Sequence, residues 1–359
     1  MDLSIAGLGT ALPPFSISQE LFAAYVQPYC CLDAEQAEVF QAIFAHAGVR
    51  RRHSVLLEGE CKGGVVPHSF LKPVNCGRGP TTGRRMEIYE TEAPPLAVAA
   101  GRKALENARL APCEVTHLVS VSCTGFMAPG IDMALVERLS LRPTVERTHL
   151  GFMGCHGAMN ALKVARGCLA AEPGARVLVC AVELCTLHLF TGWDPQKLVA
   201  DALFADGAAA IVCQASADDG WRLAAVGTVR IPDSAAAMTW RIGDFGFDMG
   251  LSRRIPELIG QHLRGWLESW LDRQGLALSG VRSWAVHPGG PKILEAVELS
   301  LALPVEALAD SRAVLADCGN MSSPTIVFIL ERLRARAAPR PCLALGFGPG
   351  MVVEAALFV

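Results

Sequence analysis

The chain reads as an α/β protein assembled from two similar halves. Three features predict this: short apolar strands alternate with helical patterns, their order repeats, and the composition supplies a large core. The repeat links Thr116-His-Leu-Val-Ser-Val-Ser-Cys123 with Ser283-Trp-Ala-Val-His287. Each stretch reads as a strand followed by a helical segment, residues 131–139 in one case and 292–301 in the other. Cys155 or Asn320 then opens a second helix, and a further strand closes the unit at 176–182 or 342–345. Cys123 and Cys155 lie 32 positions apart, His287 and Asn320 33. A duplicated unit would bring these four positions to equivalent sheet ends, facing one another across a pseudo-two-fold axis. The expected halves are residues 1–215 and 216–359, with two central sheets.

The elements follow in order. Residues 3–8 form a strand ending in Gly7-Leu-Gly9; with no third glycine this is not a dinucleotide fingerprint. Helical patterns cover 19–26 and 36–46, then comes Arg50-Arg51-Arg52, and an irregular segment is expected over 58–84. Pro94-Pro95 is expected to open a helix over 96–110, because proline is tolerated in a first turn. Residues 158–171 carry apolar positions at helical spacing and stop at Pro173-Gly174. In the second half, strands are expected at 222–230, 282–286, 342–345 and 352–357, with a helix at 325–334.

Cys155 sits in Gly151-Phe-Met-Gly-Cys-His-Gly-Ala-Met-Asn160, at the head of an apolar helix. A thiol there feels the positive helix end and open N–H groups, which favour the nucleophilic thiolate. Most free cysteines are simply small buried hydrophobes. The weight shifts here because His287 and Asn320 occupy strand-end and helix-start positions, where open α/β sheets gather reactive groups. Taken alone, His287 could be a satisfied core histidine and Asn320 a helix cap.

Hydrophobic residues make up 51% of the 359 and charged ones only 19%, which suits a compact enzyme. A net charge of −3 offers no electrostatic case for nucleic acid. The N-terminus lacks a basic run before an apolar stretch, and no apolar stretch is long enough to span a membrane; a soluble, cytoplasmic protein is expected. The 13 cysteines are an odd number scattered through predicted elements, so reduced thiols are expected rather than a disulfide framework. His53, Cys61, His68 and Cys76 lack the close pair of a metal site, and no metal is expected.

Several motifs together resemble the type III polyketide synthases, the chalcone-synthase-like family of the thiolase fold. They are GFMGCHGAMNAL around Cys155, WAVHPGGPKIL around His287, GNMSSPTIVFIL around Asn320, SCTGF at 122–126, DALFADGAAAIV at 201–212, and GFGPG at 346–350. The SCTGF form is similar to bacterial members. The resemblance implies duplicated halves in a five-layer αβαβα sandwich, and a homodimer. It implies decarboxylative condensation of an acyl-CoA starter with malonyl-CoA, with no further cofactor and with cyclisation to a pyrone, resorcinol or other phenolic product. Cys155 would carry the acyl chain, His287 would be the imidazolium that lowers its pKa, and His287 with Asn320 would hold the thioester oxygen. Phe204 and Met249 fall at the family's gate positions, the second usually Phe. Cys123, Cys185, His188, Trp240 and Ser322 fall at cavity positions. Gly346, Gly348 and Gly350 would shape the backbone beneath the acyl chain, and Arg50, Arg51 and Arg52 would meet CoA phosphates. Two other readings stay open: a β-ketoacyl-acyl-carrier-protein synthase III-like enzyme performing one condensation, and a non-catalytic acyl-binding module.

Overall fold

The computed structural model describes residues 3–61, 64–67, 79–215 and 221–359. The N-terminal half opens with β1 (Leu3–Ala11), β2 (Ser16–Ser18), α1 (Gln19–Cys30), α2 (Ala34–Ala45), β3 (Arg51–His53), β4 (Leu57–Cys61) and β5 (Gly64–Pro67). It continues through α3 (Thr82–Ala108), β6 (His117–Ser122), α4 (Ile131–Arg138), β7 (Glu146–Gly151), α5 (Gly157–Ala171), β8 (Arg176–Leu184), α6 (Pro195–Leu203) and β9 (Asp206–Ala215). The second half comprises β10 (Trp221–Arg230), β11 (Met238–Gly243), β12 (Gly246–Leu251), α7 (Ile255–Asp272), β13 (Ser283–Val286), α8 (Pro291–Leu301), α9 (Ala309–Cys318), α10 (Thr325–Ala335), β14 (Cys342–Gly348) and β15 (Val352–Phe358).

Nine strands bond in the order β13-β14-β15-β10-β1-β9-β8-β6-β7. The expected two sheets are therefore one hydrogen-bonded sheet, joined where Leu3–Ile5 of β1 pairs with Trp221–Leu223 of β10. The seam is only three residues long, and away from it the two halves twist apart to enclose a helical layer. Outward from the seam, β1-β9-β8-β6 and β10-β15-β14-β13 run through equivalent positions, so β6 and β13 correspond.

Strand alternation sorts the core into layers. In β8, Leu178, Cys180 and Val182 face an outer core with Tyr89, Leu96 and Ala100 of α3. Val177, Val179 and Ala181 face a central core filled by α5 and α10, which also takes Ala285 of β13 and Ala344 of β14. The opposite faces of those strands, with Val286 and Leu345, pack on α7 and α8. Outer helices, half-sheet, central helices, half-sheet and outer helices make the five-layer thiolase-like arrangement.

Two elements depart from the expectations. The helix α3 runs straight through Pro94 and Pro95 instead of starting after them. The carbonyls those prolines cannot bond belong to Glu90 and Thr91, both exposed, so water can take them, while Ala93, Pro94, Leu96 and Ala97 are buried. The segment expected to be irregular over 58–84 contains β4, β5 and the first turn of α3. His68 and Cys76 lie outside the described residues, and His53 hydrogen-bonds the Pro13 carbonyl at 2.7 Å.

Candidate active site

Cys155 lies in a 3-10 turn, Gly154–His156, that leads into α5 and is itself buried. Gly154 there has φ +69°, and a Cβ on it would lie 2.4 Å from Pro349. Only glycine lets this turn approach the chain that follows β14. The thiol faces a narrow, largely apolar pocket whose walls include Cys123, Cys185, Phe204, Trp240, Met249 and Ser322. Six of the residues expected around the acyl chain thus meet beside Cys155, and Thr124, Met238 and Pro349, which were not singled out, complete the wall. An adjoining cavity on the other side of Phe204, Trp240 and Met249 is lined by His188, Phe22 and Phe247. Those three side chains are the partition between the two spaces.

Asn320 is not a helix cap. It stands five positions before α10, and its backbone bonds Leu203 and Ala205 on either side of Phe204. Its side-chain oxygen accepts from the Ser322 N–H at 2.8 Å, which turns the amide NH₂ outward. Burial pushes the Cys155 thiol up to about 11, while Ser322 and Asn320 beside it act in the other direction. Burial thus opposes the effect of the helix start on the thiol.

His287 follows β13 directly and is 1% exposed. Burial, and the neighbouring imidazole of His156, lower its pKa to about 3. Neither of its ring nitrogens has a hydrogen-bond partner among the described residues. The structure thus brings Asn320 and Ser322 near the Cys155 sulfur and leaves the imidazole unbonded.

Glu183 is the polar residue that the motifs did not single out. Alternation in β8 aims it, like Ala181, into the central layer, where it is fully buried. It accepts from the Cys123 N–H at 2.9 Å, and from the Thr124 and Ser323 hydroxyls, each at 2.7 Å. A lone carboxylate in an otherwise apolar strand was the available signal. Burial raises its pKa, and these donors oppose the rise. Ser322, at φ +56°, places its hydroxyl 3.4 Å from the Cys123 sulfur. Asp206 accepts from the Thr186 N–H at 2.8 Å and fixes the 3-10 turn that carries Cys185 and His188.

Two expectations need correction. Arg52 cannot serve CoA phosphates from a rim, because β3 pairs with β2 so that Arg52 faces inward opposite Ile17. It is fully buried, and its guanidinium donates to the Asp201, Ala202 and Phe204 carbonyls at 2.6–2.7 Å. Arg50 and Arg51 are exposed, bonded to Asp317 and Ser16. Gly346 and Gly348 do not underlie the acyl chain either. A Cβ on Gly348 would meet the His156 ring at 2.2 Å, and one on Gly346 would meet Met159 and His156 at 2.9 and 3.1 Å. Gly350 takes φ +78° in the turn between β14 and β15.

Comparison with known proteins shows the family. The family model for the N-terminal domain of chalcone and stilbene synthases matches residues 3–217, and that for the C-terminal domain matches 223–359. The chain is 36% identical to bisdemethoxycurcumin synthase of Oryza sativa subsp. japonica, over 99% of this chain and 91% of that one. It is 32% identical to the alpha-pyrone synthesis polyketide synthase-like Pks18 of Mycobacterium tuberculosis, over 99% and 90%. The crystal structure of PKS-I from the brown alga Ectocarpus siliculosus superposes with a TM-score of 0.92 at 29% identity, covering 99% of this chain and 98% of that one. Enzymes of this family are acyltransferases that condense CoA thioesters by decarboxylation and need no added cofactor. The chain belongs to the chalcone and stilbene synthase family and is a type III polyketide synthase.

Proposed function

We propose that Cys155 carries the growing acyl chain, that His287 accepts its proton, and that His287 and Asn320 together hold the thioester oxygen of malonyl-CoA. The observation that carries this reading is the Cys155 thiol itself: it is buried, opens onto a largely apolar pocket, and has Asn320 and Ser322 beside it. In loading, the sulfur attacks the carbonyl carbon of an acyl-CoA, and the thiol proton passes by way of His287 to the departing CoA sulfur. In extension, malonyl-CoA loses CO₂ and the electron pair becomes an enolate, stabilised by the donors on its oxygen. The enolate carbon attacks the acyl carbonyl, and Cys155 departs as thiolate. A dry cavity keeps the enolate from being protonated by water.

The nucleophile comes from the half spanning 1–215, and the imidazole and carboxamide from 216–359. Arg50 and Arg51, both exposed, would supply cations to CoA phosphates. The cavity favours an unbranched aliphatic starter, because flexible Met249 stands opposite Trp240 in the β11–β12 pair. It also favours few extensions, since Trp240 and His188 fill the region behind Cys123. A pyrone or phenolic product fits; relatives include Pks18 and the 1,3,6,8-tetrahydroxynaphthalene synthase of Streptomyces peucetius subsp. caesius, 32% identical over 98% of this chain and 91% of that one. The enzyme works as a cytoplasmic homodimer; among the described residues no helix is long and apolar enough to cross a membrane. The test is Cys155→Ala, assayed by mass spectrometry with a panel of acyl-CoA starters and malonyl-CoA. Condensation products should vanish while malonyl-CoA decarboxylation persists at a reduced rate. Product at the wild-type level from that variant would end this assignment.

A further inference from the structure

The cavity beyond the partition has no part in the mechanism above, and its wall carries charge. Phe22, Phe190 and Phe247 give it aromatic sides. Phe204, Trp240 and Met249 separate it from the pocket beside Cys155. Met249, unbranched and flexible, is the member of that partition able to yield to an acyl chain. Toward the surface, Lys197 of α6 pairs with Asp248 of β12 at 2.5 Å, their side chains 30% and 52% exposed. An ion pair thus spans the solvent side of the cavity.

Two residues of this wall each hold a buried polar atom without a partner. Asp201 stands on α6, one turn before Phe204, and is 6% exposed. Its Oδ1 accepts from the Phe190 N–H at 3.0 Å, whereas its Oδ2 has no hydrogen-bond partner among the described residues. Arg52 gives its two terminal nitrogens to the carbonyls of Asp201, Ala202 and Phe204 and to the Gln19 side chain. Its Nε is likewise unpartnered among the described residues, so the guanidinium does not satisfy Oδ2. Buried polar atoms are rarely left unbonded, because each one so left is costly. An acceptor and a donor on the wall of one cavity call for a group that can do both.

We infer that this cavity is a subsite for the far end of an unbranched acyl starter that carries a terminal hydroxyl, held by Asp201, a reading that rests on the catalytic assignment above. A hydroxyl donates to a carboxylate and accepts from a guanidinium N–H. A carboxylate end has nothing to donate, and an ammonium end has nothing to accept with. Burial raises the Asp201 carboxyl to about 7, and a hydroxyl bonds Oδ2 in either protonation state. A plain alkyl end would leave both atoms unbonded, and a site built around such atoms rejects the analogue that cannot reach them.

The experiment measures kcat/KM for product formation with malonyl-CoA from saturated straight-chain acyl-CoAs of increasing length, each with and without a terminal hydroxyl. At the length that reaches Asp201, the hydroxylated starter should be favoured by about tenfold or more, the scale of a hydrogen bond to a charged group. Asp201→Leu should abolish that preference, and Asp201→Asn, which keeps an acceptor and a donor, should retain part of it. Each ratio is taken within one variant, so a general loss of activity does not move it. Should Asp201→Leu fail to fold, Ala200→Leu, which fills the cavity from its wall and spares the carboxylate, should abolish the same preference. A wild type with no preference at any length overturns the inference, as does a preference that survives either variant. A wild type that forms no product from any starter would instead sink the catalytic reading, and this inference with it.

Discussion

His188 is buried, as His287 is, yet every polar atom of its ring is bonded. Its Nε2 donates to the Thr124 carbonyl at 2.6 Å, its Nδ1 accepts from the Phe247 N–H at 3.0 Å, and its ring stacks on Phe247 at 4.0 Å. Those bonds require the neutral imidazole, and burial lowers its pKa to about 3. An unfolded histidine binds a proton near pH 6.5, so stability from this group is complete above 6.5 and is lost as pH falls from there toward 3. His188→Gln keeps a donor and an acceptor but cannot charge. The gap between its urea midpoints at pH 7.5 and pH 5 is expected to be narrower than in wild type; an equal gap would show that His188 is not the group resisting protonation. The family resemblance already implied His188 as a cavity position, whereas Cys155 was also conspicuous in itself, a thiol between glycines at the head of an apolar helix. The orientation of the arginines was not legible. Which of Arg50, Arg51 and Arg52 turns inward depends on the register of β2 with β3, a pairing across 33 or more residues that no local pattern encodes.

At the scale of elements, the β11–β12 hairpin decides the shape of the cavity. It is held in place by the Trp240 indole, which donates to the Cys123 carbonyl at 2.6 Å, while the ring meets His188 edge-on at 5.4 Å. One wall of the active site thus belongs to a two-stranded ribbon outside the main sheet. Trp240→Ala removes that wall and joins the spaces on either side of Phe204. Its products are expected to be heavier by one or more malonate-derived two-carbon units, read by mass spectrometry with the same starter. An unchanged product mass would mean that Trp240 does not limit extension. The hairpin was legible: Met238, Trp240 and Ile242 alternate with Thr239, Arg241 and Gly243, and Phe245, Phe247 and Met249 with Gly246 and Asp248, about a turn at Gly243-Asp244. Strands with one face on each core, such as β6, β8 and β14, were legible because both faces are apolar. The start of α3 was misread for a physical reason: two prolines weaken a helix locally, but the burial of its apolar face against β1, β8 and β9 carries the helix through them.

At the scale of the molecule, duplication was the part of the architecture easiest to see in the sequence, since β6 with Cys123 and β13 with His287 take equivalent places. How the halves join was not visible, because three residue pairs between β1 and β10 make one sheet out of two. The sheet has two edges among the described residues, β13 and β7, and the second bears on assembly. Glu146, Arg147, Thr148 and His149 are all exposed, and the side of β7 away from β6 has no strand partner among the described residues. A free edge of six residues invites another strand. The exposed aromatic rings of Phe126 and Phe152, with centroids 6.2 Å apart, lie where β6 and β7 end and add apolar surface to it. Two copies meeting edge to edge by a two-fold axis would cover both features at once, and a stable pair needs roughly 800 Å² from each partner. Light scattering at micromolar concentration should therefore give twice the 38.2 kDa chain mass. Phe126→Glu combined with Phe152→Glu should bring it to the monomer, because burying two unpaired carboxylates costs several kcal/mol. A wild-type monomer, or a double variant that stays dimeric, would place the interface elsewhere and leave β7 as a strand guarded only by its charged side chains.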